Sequence, residues 1–234
     1  MSRQPPPTPE RRSFLSRLNA RAASVAALAV GGIAMAQQKS PATTRFEPAR
    51  HDKDDWLDEL PGKHRLLFDT TAADGLGDAL LFAGNFIRVN RTDYGLQSSE
   101  LAVIIVVRHR STAFAFNDAM WAKYSVPLAA RARFEDPKTK VAPKANVFRS
   151  EDYGEMLNNR GATLDGVAKQ GVQFAVCSIA TRAIAGLVAA AVGGNAEAIF
   201  GELVANLVSN ARMVPAGIVA VNRAQERGYS LVSV

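Results

Sequence analysis

The chain has one cysteine in 234 residues, three histidines and an aromatic content of 7%. With Cys177 alone, no intrachain disulfide can form. His51, His64 and His109 stand far apart and make no metal-binding pattern. The charge-free stretch from Ala183 to Ala196 falls short of the ~20 strongly apolar residues that a membrane-spanning helix needs. No repeat with a period of about 20–50 residues is visible, which excludes a solenoid. No Ser/His/Asp spacing and no pair of carboxylates marks a hydrolase. "DGLGDAL" offers Gly75-x-Gly77, but Leu80 occupies the third glycine position of a dinucleotide fingerprint. The favoured reading there is a tight turn, with Asp74 or Asp78 near a helix N-terminus, and no cofactor is assigned.

Positive charge is less abundant than it first looks. The 28 Lys and Arg against 22 Asp and Glu give +6. Residues 1–36 hold Arg3, Arg11, Arg12, Arg17 and Arg21 against Glu10, which leaves 23 basic and 21 acidic residues for the rest. A nucleic-acid groove needs a basic stripe with interleaved aromatics. None is present, so no nucleic-acid partner is expected.

The N-terminal segment has the three zones of an export signal: a basic stretch, an apolar stretch over 22–36, and small residues Ala34 and Ala36 around Met35. Arg11-Arg12-Ser13-Phe14-Leu15 resembles the bacterial twin-arginine signal, which directs export of folded proteins. That resemblance implies the twin-arginine translocase as a transient partner, cleavage after Ala36 and a periplasmic destination. An amphipathic helix and an uncleaved anchor are the alternatives. Residues 37–55, "QKSPATTRFEPARHDKDD" and its flank, read as a polar linker.

From Trp56 to Val234 there is one domain's worth of chain. Strands are expected at "HRLLFDTT" (64–71), at "ELAVIIVVRH" (100–109), at "VQFAVCSIA", at "RMVPAG" and at "YSLVSV". The unbroken apolar run in 100–109 predicts a strand buried on both faces, as in a parallel sheet. Between the strands, Leu76, Leu80, Ala83 and Ile87 share one helical face. "NDAMWAKY" opens a second helix capped by Asn117 or Asp118. Residues 127–160, rich in proline and charge, read as a long loop or insertion. "TLDGVAKQG" is a short helix stopping at Gly171. Two apolar helices follow, broken at Gly193-Gly194, and "IVAVNRAQERG" is the last. The alternation predicts an α/β fold with a compact, mainly parallel sheet flanked by helices. The apolar, small-residue surface of 182–208 predicts a homo-oligomer.

Cys177 falls at the end of a strand and just before a helix. Ligand sites in parallel sheets gather at that carboxyl edge. Helix N–H groups there stabilise a thiolate, and Arg182 adds positive charge. His109, flanked by Arg108 and Arg110, ends the second strand at the same edge, where it reads either as part of a small pocket for anions beside Cys177 or as a solvated strand end. Gly75 and Gly77 are expected to border that pocket. A packed, inert cysteine is the competing reading.

"VQFAVCSIATRAIA", followed by "MVPAGIVAVNRAQERGYSLV", resembles the DsrE/DsrF-like family of sulfur-relay proteins. The resemblance spans roughly residues 64–234 and is strongest from Val214-Pro215-Ala216-Gly217 to Gly228-Tyr229. It implies a compact α/β fold, trimeric or hexameric assembly, and Cys177 as a carrier of persulfide sulfur between a donor and an acceptor. The chain departs from the family in its 127–160 insertion, in the apolar "SIATRAIA" after the cysteine and in lacking a second cysteine. A non-catalytic oligomeric or ligand-binding module of the same fold is the alternative, and a cofactor-bearing enzyme loaded before export is a third.

Overall fold

The computed structural model describes residues 47–234, which form one unit from Glu47 to Val234. Arg11, Arg12, Ala34 and Ala36, and with them the expected export signal, lie outside the described residues.

Five strands form one sheet: β1 (His64–Thr70), β2 (Leu101–Val107), β3 (Gln173–Cys177), β4 (Ala211–Val214) and β5 (Ser230–Ser233). All neighbours pair in parallel, in the order β4-β3-β2-β1-β5. The helices are α1 (Trp56–Glu59), α2 (Ala73–Thr92), α3 (Asp118–Ala132), α4 (Leu164–Lys169), α5 (Ser178–Val192), α6 (Ala196–Ala205) and α7 (Gly217–Gln225). The chain is therefore the α/β fold with a parallel sheet that its alternating pattern predicts. All seven residues of β2 are buried, because helices cover both faces of the central strand.

Strand alternation sorts the core into two layers. Phe68, Val103, Ile105, Val107, Phe174 and Val176 face the layer that holds α2, α3 and α5. Leu67, Ala102, Ile104, Val106 and Ala175 face Ala220, Val221 and Ala224 of α7, together with Trp56, Leu57 and Tyr229. From β1 to β4 the chain steps in one direction across the sheet with its connecting helices on the first face. From β4 it returns past three strands to the far edge, and α7 lies on the second face. Reversing both direction and face keeps every crossover the same hand. The connections leaving β3 and β4 consequently part to opposite faces.

Two sequence expectations are corrected. Residues 127–160 do not begin a loop: α3 continues through Pro127 to Ala132. Proline lacks an N–H and crowds the carbonyl of the preceding turn. The helix accordingly breaks locally at Tyr124 (φ −122°, ψ 27°), while buried Leu128, Ala129 and Ala132 hold its last turns to the core. The segment beyond it is also packed. Asn146, 2% exposed, donates its Nδ2 hydrogens to the carbonyls of Phe114 (2.7 Å) and Phe116 (2.8 Å), and Phe148 sits edge-on to Phe114. The second correction concerns the linker. A 3-10 turn over Asp52–Asp54 precedes α1, Asp54 is buried, and Arg223 approaches it at 3.6 Å. The folded unit thus starts before Trp56. The glycine break after α5 is as expected: Gly193 adopts φ +72° and donates its N–H to the Ala189 carbonyl, closing the helix.

Candidate functional site at the carboxyl edge of the sheet

Cys177 is the last residue of β3 and the N-cap of α5, paired across the sheet with Val214 at the end of β4. It thus stands where the two connections separate, the topological switch point at which parallel α/β sheets open a crevice. The residue is 7% exposed. Ala175 faces α7, so Cys177, two residues on, projects toward the same layer. Its carbonyl accepts the Thr181 hydroxyl at 3.0 Å.

Two charged residues share this layer at the ends of β1 and β2. Arg108 donates through Nε to Asp69 Oδ1 (2.7 Å) and through Nη2 to Oδ2 (2.8 Å), a two-pronged ion pair. The Asp69 side chain is 8% exposed and that of Arg108 26%. The hydrogen bonds donated to Asp69 dominate and, against the cost of burial, hold the guanidinium above its ordinary range; the charges of Asp69 and Cys177 add to the effect. A guanidinium has five N–H groups, and Asp69 takes two. The others have no protein acceptor among the described residues. Gly217, the first residue of α7, presses on this arginine: a Cβ there would lie 2.6 Å from Arg108 Cβ. Only the missing side chain lets α7 begin so close to Arg108. Ser111 fixes the turn after β2, its hydroxyl bonded to the carbonyls of Thr70 (3.0 Å) and Arg108 (2.8 Å).

The structure keeps Arg108 with Cys177 and takes the other expected pocket residues elsewhere. His109 sits in the left-handed region (φ +59°), where its Nδ1 faces Arg131 Nη2 at 3.4 Å, and both His109 and Arg110 line a separate groove beside α3. Arg182 pairs with Glu197 at 2.8 Å and stacks over Phe200, which ties α5 to α6. Gly75 and Gly77 lie inside α2 rather than in a loop. A Cβ on Gly75 would meet the Val234 carbonyl oxygen at 2.5 Å, and one on Gly77 would meet Asn158 Cβ at 3.0 Å. Their role is close packing. Asp69 was missed, and Gly217 was read as part of a turn motif without its contact to Arg108. An acid inside the apolar run "LLFDT" was the one available signal for Asp69. The contact of Gly217 with Arg108 has no local signal, because the long crossover sets which residue this glycine meets.

Chemically, the edge offers a thiol, a fixed guanidinium with free donors and the N-terminus of α5. These suit an anionic species. No three His, Cys, Asp or Glu side chains come together as metal ligands among the described residues. Among the same residues, no helix is long and apolar enough to cross a membrane. Compared with known proteins, the chain matches no family model, no curated protein and no solved structure.

Proposed function

We propose that this is an exported DsrE-like protein that carries sulfur as a persulfide on Cys177. The observation that carries the reading is the cysteine's position at the switch point of the sheet, in the same layer as the Asp69–Arg108 pair. The thiol first loses its proton to solvent. The thiolate then attacks the outer sulfur of a donor such as thiosulfate; an Sγ–S bond forms, the donor's S–S bond breaks, and its electron pair leaves with sulfite. Sulfur moves without an external oxidant. Arg108 compensates the negative charge that shifts onto the persulfide. Transfer to an acceptor thiolate reverses the same exchange.

Two further parts belong to the proposal. The basic-apolar N-terminal segment supports export to the periplasm through the twin-arginine translocase. Exposed Ile179 (66%) and Val192 (55%) on α5 support self-association.

Intact-mass measurement after incubation with thiosulfate or polysulfide tests the carrier. The wild type should gain one sulfur atom and Cys177→Ser none, and the N-terminal mass reports cleavage after Ala36. An unmodified mass together with a thiol inert to alkylation in the folded protein overturns the reading. The 7% exposure of Cys177 is the one observation that favours a second reading, a binding module in which this cysteine only packs.

A further inference from the structure

A concavity of about 490 Å³ lies between α3 and α5, away from the thiol. Its volume falls within the range of small-ligand sites, roughly 300–1,000 Å³. Its two ends differ in chemistry. His109 and Arg110, from the turn after β2, meet Arg131 and Arg133 from the end of α3. Val126 of α3 and Leu187 of α5 line the rest and are 69% and 50% exposed. Val126 precedes Arg131 by five residues, about 7.5 Å along a helix. Cationic and apolar linings therefore follow one another along the groove.

Among the described residues, none of Arg110, Arg131 and Arg133 pairs with an acid. Burial first, and then repulsion from Arg110 and Arg133, holds Arg131 below its ordinary range. Burial and the surrounding arginines likewise lower His109. Gathering like charges costs free energy unless an anion joins them. The backbone is also strained here: His109 at φ +59° occupies a region costly for a non-glycine residue, and such strain collects at ligand clamps.

We infer that the groove between α3 and α5 binds a single-chain anionic amphiphile, its carboxylate or phosphate head held by Arg110, Arg131 and Arg133 and its hydrocarbon tail laid over Val126 and Leu187. A fully apolar ligand leaves the cations unpaired, and a small anion leaves the apolar wall wet. Only a molecule with both parts satisfies the two ends. The inference stands independently of any chemistry at Cys177.

Isothermal titration of the full chain with dodecanoate below its micellar concentration tests it, with dodecyl phosphate, acetate, dodecyltrimethylammonium and anionic phospholipid vesicles as further arms. Dodecanoate or dodecyl phosphate should bind saturably at one site per chain, at least tenfold more tightly than acetate or the cationic amphiphile. The comparison of the two anionic heads identifies which is preferred. Arg110→Gln combined with Arg131→Gln should weaken binding at least tenfold, as should Leu187→Glu; Arg182→Gln, outside the groove, should leave it unchanged. Circular dichroism checks that each variant folds, and removing mutually repelling arginines should not lower stability, so the arginine variant decides the matter if Leu187→Glu unfolds. Saturable binding that survives the arginine substitutions, equal affinity for the cationic amphiphile, binding to vesicles alone, or no binding at all overturns the inference.

Discussion

Asp69→Asn should weaken the protein and at the same time make Cys177 more reactive. Asn keeps the volume of the side chain but removes the charge opposing Arg108, across hydrogen bonds of 2.7 and 2.8 Å. Breaking one side of a buried ion pair costs about 3–5 kcal/mol. The Arg108 side chain is 26% exposed, so water recovers part of its solvation. The expected loss is about 2 kcal/mol. For a domain of this size that is a fall of roughly 4–8 °C in Tm. The guanidinium, no longer neutralised by the carboxylate, then presents its full charge to the thiolate. Arg108→Gln removes that charge instead and should slow alkylation of Cys177, because no guanidinium then stabilises the attacking thiolate. The pair of variants thus predicts opposite changes in thiol reactivity but the same sign in stability. Iodoacetamide kinetics at fixed pH and chemical denaturation of the same samples measure both. Equal alkylation rates in wild type and Arg108→Gln would refute the coupling between Arg108 and the thiol, whatever happens to stability.

Further outcomes follow from local geometry. Gly84→Ala, in the interior of α2 with open space around it, should raise stability by up to about 1 kcal/mol, whereas Gly75→Ala in the same helix should lower it, because the new methyl meets the Val234 carbonyl; denaturation midpoints separate the two. Gly217→Ala should destabilise the domain and displace Arg108, seen as a lower Tm together with altered Cys177 alkylation. Acid should destabilise the fold through Asp136: burial pushes its carboxyl up, but the N–H of Lys138, the Tyr153 hydroxyl and the N–H of Thr139 outweigh it and hold the carboxyl below the ordinary range. A depressed folded value contributes stability above about pH 4 that is lost as pH falls through the folded value. Asp136→Asn should therefore flatten the acid limb of a stability–pH profile, and an unchanged limb would count against the contribution of this carboxylate.

Elements whose apolar period is carried by neighbours in sequence were legible. The strand read over 64–71 occupies His64–Thr70, and the apolar run within 100–109 occupies Leu101–Val107. Leu76, Leu80, Ala83 and Ile87 are all buried along α2, and Asn117 caps α3 by accepting the Met120 N–H. The segment after Pro127 was misread because its composition is that of a loop. What holds its first turns helical is burial of Leu128, Ala129 and Ala132 against distant parts of the core, and packing of that kind leaves only a weak periodic trace.

The site was legible as an edge and illegible as a set of contacts. Reading "RHR" as one pocket treats consecutive residues as neighbours in space. At the end of a strand they are not: side chains alternate between faces, and a positive φ at His109 turns the chain again. Arg108 follows Ile104 and Val106 into the α7 layer, where it finds Asp69 and Cys177. His109 and Arg110 are turned toward the end of α3. One basic tripeptide thereby supplies two environments: a paired guanidinium beside the thiol and an unpaired cluster in a groove. The difference between them is Asp69, 39 positions before Arg108 in the chain and brought to it by the parallel register of β1 and β2. A carboxylate at that register position neutralises the first arginine, whereas among the described residues no acid pairs with Arg110 or with Arg131 and Arg133 at the end of α3.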